Sequence, residues 1–198
     1  MKRIVLFCMV LLSGYANAQL TNITISKGID NPTRIAVDDF SGPKLAEDIP
    51  AIIRNDLNFS GQFESIDPNQ LITHPRSESE ISYRDFKAIK AEYLLIGSIT
   101  EQGGRYTASY ELFDVVQQKR VFIKMSVDGA ESQLRDMAHR ISDKVYETIT
   151  GIRGIFSTKI IYVEAFSKPN KSRLMLSDVD GARSRVLFES KQPIMSPV

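Results

Sequence analysis

The order of apolar and polar residues predicts alternating strands and helices over most of the chain. Short β-prone runs at 34–37 and 63–66 are typical of strands. Between them, apolar residues spaced at i, i+3, i+4 and i+8 predict an amphipathic helix over residues 45–59. Pro50 is tolerated only in the first turn of a helix, so we expect the helix to begin near Asp48, which can cap it. The apolar stripe of this helix consists of Ile49, Ile52, Ile53 and Leu57.

Three apolar segments follow at hairpin spacing. Residues 93–100, 106–113 and 121–127 are separated only by short polar turns, which predicts a β-meander. The longest helical pattern covers residues 131–150 and ends at Gly151, a residue suited to terminate a helix.

After Gly154 the helical period disappears, and only short strands at 158–163, 173–177 and 185–189 are expected. We therefore predict an α/β domain with a mixed sheet and two main helices, followed by a small all-β unit. The predicted boundaries are 19–154 for the first domain and 155–198 for the second.

The first eighteen residues have the pattern of a secretory signal peptide. Two basic residues precede an unbroken apolar run at 4–12, and a small-x-small sequence occupies 16–18. A buried core helix would not account for both the basic start and this ending. We expect cleavage after Ala18, which makes Gln19 the first residue of the exported chain.

Cleavage changes what the composition implies. It removes two bases and no acid, so the formal charge changes from +1 to −1. A near-neutral surface of mixed sign gives no reason to expect nucleic acid. The single cysteine, Cys8, is lost with the leader, so disulfides and thiolate metal sites are excluded from the exported chain.

Candidate catalytic residues are few. His74 lies in a polar loop and His139 is expected on the polar side of the long helix; neither belongs to a metal-binding spacing. Asp38 and Asp39 are adjacent on a strand end and point to opposite faces, so they should not converge. Residues 178–181, Asp-Val-Asp-Gly, read as a turn because the calcium-loop match fails. We expect no catalytic residue, no cofactor and no metal.

The start of the exported chain is β-prone. Residues 19–25 alternate in character, with Ile23 and Ile25 on one face, and they begin at a free chain end. Such a segment can add to the edge of a partner's sheet, or it can form an ordinary edge strand of its own domain. The residues alone leave both alternatives open.

Several segments together resemble one family. The residues that carry the resemblance lie at 23–30, 34–40, 47–57, 60–63, 91–97, 112–163, 176–181 and 192–197. In this order they resemble TolB, the periplasmic component of the Tol–Pal system of Gram-negative bacteria. The resemblance implies an α/β domain followed by a six-bladed β-propeller, with binding rather than catalysis as the activity. It also implies a role in outer-membrane integrity and in drawing the outer membrane inward during cell division.

The resemblance implies two partners. A TolA-like inner-membrane protein would contact the N-terminal strand region, and a Pal-like lipoprotein would contact the propeller. The expected TolA-contacting residues are Gln19, Leu20, Thr21, Asn22, Ile23, Thr24, Ile25, Ser26, Lys27, Gly28, Ile29 and Asp30.

The resemblance also suggests that the chain is a fragment. A propeller blade takes about 40 residues, so residues 155–198 are expected to form only a first, incomplete blade with most of the Pal-binding surface missing. The alternative function is a periplasmic small-ligand-binding or enzymatic α/β domain.

Overall fold

The computed structural model of the chain describes residues 31–167 and 171–195. The predicted signal peptide, its cleavage point after Ala18, and the leading segment Gln19–Asp30 lie outside these residues. They remain predictions.

The first sheet has five strands and is mixed, as predicted. Strand β1, second from the edge, pairs in parallel with β2 on one side and with β3 on the other. From β3 onward the pairing is antiparallel, and the order across the sheet is β2-β1-β3-β4-β5. The strands are β1 (Thr33–Val37), β2 (Phe63–Ser65), β3 (Tyr93–Gln102), β4 (Arg105–Asp114) and β5 (Lys119–Ala130).

Three α-helices accompany this sheet in the described residues: α1 (Ile49–Phe59), α2 (Tyr83–Ala88) and α3 (Leu134–Thr150). The expected cap of α1 is confirmed, because a side-chain oxygen of Asp48 accepts a hydrogen bond from the Ala51 N–H at 3.0 Å. The end of α3 is also confirmed, since Gly151 has a φ of 73°, which glycine adopts without steric cost.

The helices divide the core between the two faces of the sheet. The apolar stripes of α1 and α3 cover one face, where Ile53, Leu95 and Leu112 are fully buried. The short helix α2 covers the opposite face through Phe86, beside Leu94. The connection from β1 to β2 through α1 and the connection from β2 to β3 through α2 therefore run on opposite sides of β1.

Both neighbours of β1 begin at the end where β1 begins. The Thr33 N–H donates to the Gln62 carbonyl at 2.9 Å, and the Glu92 N–H donates to the Arg34 carbonyl at 2.8 Å. The segment before β2 comes from the end of α1, and the segment before β3 comes from the end of α2. Neither β2 nor β3 therefore extends past the start of β1 at this end of the sheet.

A second, antiparallel sheet follows α3. Its strands are β6 (Lys159–Phe166), β7 (Lys171–Asp178) and β8 (Arg185–Ser190), in the order β6-β7-β8. The three predicted strands are confirmed, whereas their assignment to a propeller blade stays a prediction. Ile161 and Phe188 of this sheet are more than half exposed. Within the ranges described, no helix combines the length and the apolar character needed to cross a membrane.

The core assignment can be tested by one substitution made at two places. Ile53→Ala should lower the free energy of unfolding by about 2–5 kcal/mol, because it opens a cavity under α1. Ile123, on the edge strand β5, is 77% exposed, so Ile123→Ala should change the stability by less than about 0.5 kcal/mol. Urea unfolding followed by circular dichroism measures both. Equal losses would contradict the placement of α1 on the sheet.

Candidate functional site

The predicted partner-binding residues, Gln19–Asp30, lie outside the described residues. The first described element after them is β1, so the start of β1 is the element end closest to them along the chain. Beside the start of β1, the Gln62 side-chain amide donates to the Tyr146 hydroxyl at 2.6 Å. Tyr146 lines an apolar cleft of about 350 Å³ together with Phe59, Ile152, Ile155 and Phe156.

A cluster of charged side chains joins the first sheet's helices to the second sheet. On α3, Arg135 contacts the carboxylates of Asp180, Asp178 and Glu47, with separations of 3.5 Å to Asp178 and 3.6 Å to Glu47. Asp136, one residue later, pairs with Arg183 at 2.5 Å. The turn between β7 and β8 is thereby held against α3.

Asp178 is the most buried acid of the turn between β7 and β8. Its side chain is only 2% exposed, and it accepts hydrogen bonds from Lys159 Nζ at 2.5 Å and from Arg183 Nε at 2.8 Å. Lys159 also lies 3.4 Å from Asp136. Two cations of the second sheet and one of α3 therefore compensate a carboxylate that water hardly reaches.

These contacts shift the ionisation of the cluster. Burial alone raises the pKa of Asp178, but the hydrogen bonds from Arg183 and Lys159 outweigh it and hold that pKa below its ordinary value. The hydrogen bond from Arg183 likewise lowers the pKa of Asp136. The same bond to Asp136 raises the pKa of Arg183, so all three groups stay charged near neutral pH.

The placement expected for His139 is wrong. Its side chain is 1% exposed rather than on a polar face, and Nδ1 lies 2.8 Å from Asp56 Oδ2 of α1. Its Nε2 lies 3.8 Å from Asp178 Oδ2. The physical reason is that α3 is covered on two sides, by α1 and by the turn after β7, so its buried face is wider than its apolar stripe.

Sequence reasoning missed this cluster although one signal was present. Asp56 lies in the helical stripe of Ile49, Ile52 and Ile53, where a polar residue is out of pattern, and it is 1% exposed. The turn predicted at 178–181 is confirmed by the hydrogen bond from the Gly181 N–H to the Asp178 carbonyl, at 2.9 Å. Its acids also belong to the cluster of charged side chains between α1, α3 and the second sheet, which we call the charged junction.

His74 forms a separate pair with Asp38. The Nδ1 atom of His74 lies 2.7 Å from Asp38 Oδ1, with the His74 side chain about half exposed and that of Asp38 2% exposed. Asp39 instead pairs with Arg54 at 3.2 Å. The prediction that the two adjacent acids do not converge is confirmed, but the approach of His74 to one of them was not foreseen.

Comparison with known proteins decides the family. Residues 21–121 match the model of the TolB amino-terminal domain, which is half of the chain. The chain belongs to the TolB family. The matched residues begin inside the predicted leading segment and continue into β5.

Curated relatives are also TolB proteins, and their chains are longer than this one. The chain is 44% identical over 200 residues to the Tol-Pal system protein TolB of Pseudomonas putida KT2440 and 44% identical over 201 residues to that of Pseudomonas aeruginosa PAO1. Each alignment covers 98% of this chain and 46% of the relative. The chain thus spans about half the length of these curated relatives.

A solved structure supports the same assignment. The crystal structure of TolB from Acinetobacter baumannii superimposes with a TM-score of 0.76 at 28% sequence identity, covering 87% of this chain and 42% of that chain.

The charged junction makes a direct prediction for stability. Arg183→Ala removes one of the cations that compensate Asp178, so it should cost about 1–3 kcal/mol of the free energy of unfolding. The matched control is Arg153→Ala, because Arg153 is exposed and no ion pair to it is found in the described ranges. Chemical unfolding of both variants measures the difference. Two equally stable variants would show that the junction contributes nothing.

Proposed function

We propose that the chain is a non-catalytic adaptor of the Tol–Pal system that works in the periplasm. It contacts a TolA-like inner-membrane protein through Gln19–Asp30, and it supports outer-membrane integrity and invagination during division. The observation that carries the proposal is the match of residues 21–121 to the TolB amino-terminal domain. The relatives' printed name, Tol-Pal system protein TolB, supplies the system.

The attachment geometry supports strand addition as the mechanism. Thr33 is the first residue of β1, and both neighbouring strands begin at the same end of the sheet. Neither β2 nor β3 therefore extends past the start of β1, so neither offers backbone groups with which residues before β1 could pair. Pairing of Thr21–Ile25 with the sheet edge of another protein would satisfy their backbone groups, while Ile23 and Ile25 fill apolar sites on the partner.

The apolar cleft supports a partner surface next to this attachment point. Phe59, Ile152 and Ile155 around the cleft are each more than half exposed. Exposed apolar residues that cluster in this way are typical of contact surfaces. A protein bound to the leading segment would lie within reach of the cleft, since Tyr146 joins the cleft to Gln62.

The second sheet supports a further part of the proposal. We propose that residues 155–198 form the first part of a propeller, whose remaining surface contacts a Pal-like lipoprotein. Ile161 and Phe188 are apolar and more than half exposed, and exposed apolar side chains that cluster are typical of a surface covered by another element. Neighbouring blades of a propeller supply such cover.

A ligand-binding or enzymatic domain is the second candidate, and the pair of His74 with Asp38 is the observation that favours it. A carboxylate that holds one imidazole nitrogen can orient the ring for acid–base work. Such work also needs a reacting group at the other nitrogen, and His74 makes no second hydrogen bond to the residues described. The adaptor is therefore the better supported function.

Removal of the leading segment tests the adaptor. Deleting Gln19–Ile25 should abolish binding to a TolA C-terminal domain in isothermal titration calorimetry. Ile23→Pro should weaken binding at least 10-fold, because it removes one backbone donor and distorts the strand. The control Ile23→Val keeps both the donor and the β-branched shape. Unchanged affinity after the deletion would overturn the mechanism.

A further inference from the structure

Three buried polar atoms of the charged junction have no hydrogen-bond partner among the described residues. They are Arg135 Nε, which lies 3.5 Å from Asp178 Oδ2, and Asp56 Oδ1 and His139 Nε2, whose side chains are each 1% exposed. Buried polar atoms in folded proteins are almost always satisfied, and an orphaned atom calls for a specific explanation such as a water molecule or an ion. His139 Nε2 faces the carboxylates of the turn after β7, so a group bound there can satisfy it.

His139 has the orientation of a metal ligand. Its Nδ1 lies 2.8 Å from Asp56 Oδ2, and because an ionised carboxylate can only accept, Nδ1 is the donor of that contact. In the neutral tautomer with this donor, Nε2 carries the lone pair that a metal ion needs. Histidines that bind metals usually donate their other ring nitrogen to a carboxylate in this way, which fixes both the tautomer and the ring. Nε2 points toward the turn after β7, where Asp178 Oδ2 lies 3.8 Å away.

We propose that this junction binds a divalent metal ion of the zinc class. In the proposal His139 Nε2 is the nitrogen ligand, Asp178 and Asp180 supply carboxylate oxygens, and Asp56 orients the ring. Of the proposed ligands, His139 and Asp180 offer atoms within 4.8 Å of each other and of Asp56, and Asp178 Oδ2 lies 3.8 Å from His139 Nε2. Zinc bonds of about 2.0–2.2 Å separate ligands by up to roughly 4 Å, so small side-chain movements complete the site.

The charges of the junction agree with a divalent ion. Five carboxylates belong to it, whereas the arginines and lysines paired with them in the described residues number three, which leaves an excess of two negative charges. An ion of charge +2 removes this excess. The carboxylates are Glu47, Asp56, Asp136, Asp178 and Asp180, and the cations are Arg135, Lys159 and Arg183.

Arg135 leaves one carboxylate oxygen of Asp180 available to a metal ion. Arg135 contacts Asp180 Oδ2, but Asp180 Oδ1 accepts only the Ala182 N–H, at 3.0 Å, and keeps a lone pair for the ion. The imidazole nitrogen favours zinc or a neighbouring transition metal over calcium or magnesium, which prefer oxygen ligands alone. The ion would tie α1 and α3 to the second sheet.

The position of the ligands explains why spacing along the chain does not reveal them. His139 and Asp56 are 83 residues apart, and the two acids of the turn come a further 39 or more residues later than His139. No H-x-x-x-H spacing is needed when α3 provides one ligand, the turn after β7 provides two, and α1 provides the acid that orients the ring.

Zinc binding by the exported chain tests the proposal. After treatment with EDTA, residues 19–198 should bind Zn²⁺ with one-to-one stoichiometry in calorimetry, and Zn²⁺ should raise the midpoint of thermal unfolding. His139→Gln should weaken binding at least 10-fold. His74→Gln is the matched control, because His74 is the other histidine of the chain and pairs with Asp38 elsewhere. It should leave binding unchanged.

A second variant and a second probe keep the test decisive. If His139→Gln does not fold, Asp180→Asn replaces it, since Asp180 is 18% exposed and lies in a turn. It too should weaken binding. Co²⁺ should give visible absorption bands that disappear on addition of Zn²⁺. No binding by the parent chain, equal binding by its variants at the site, or loss of binding in His74→Gln would each overturn the proposal.

Discussion

A carboxylate that water cannot reach has to be compensated, and the compensation of Asp178 governs how the two sheets meet. Its side chain is 2% exposed and contacts Lys159 and Arg183 from its own sheet, with Arg135 of α3 close by. Burying a carboxylate without oppositely charged partners costs several kcal/mol. The partners come from both parts of the molecule, so the second sheet has one favourable placement against α3.

The same helix carries the core of the first domain. Met137, Ile141 and Val145 of α3 are fully buried against the first sheet and α1. Its polar residues at 135, 136 and 139 contact α1 or the second sheet instead. One helix therefore packs by apolar contact on one side and by ion pairs on another. The ion pairs fix how the second sheet is oriented against α3, because their partners come from both.

Local patterns account for what the sequence predicted well. The meander follows from hairpin turns such as Gly103-Gly104, both at positive φ, and α1 begins where Asp48 can cap it. The strand order β2-β1-β3 depends on which faces the connecting helices cover, and no local pattern encodes this. Membership in the TolB family was visible in several ordered segments, and the match at 21–121 shows it.

The candidate site was harder to predict because its parts come from distant segments. Asp56 and His139 are 83 residues apart, and only the fold brings them within 2.8 Å. An acid within an apolar helical stripe was the one local signal. His139 was misplaced because a helical pattern shows which face is apolar but not that a second sheet will cover the polar side.

The central proposal is that this TolB-family chain binds another protein by pairing its leading segment with that protein's sheet edge. Hydrogen exchange with mass spectrometry, recorded with and without a TolA C-terminal domain, tests it directly. The account predicts that slowed exchange on binding appears within Gln19–Asp30 and, at most, beside the apolar cleft. Slowed exchange around His74 or along β5, with none in Gln19–Asp30, would contradict it.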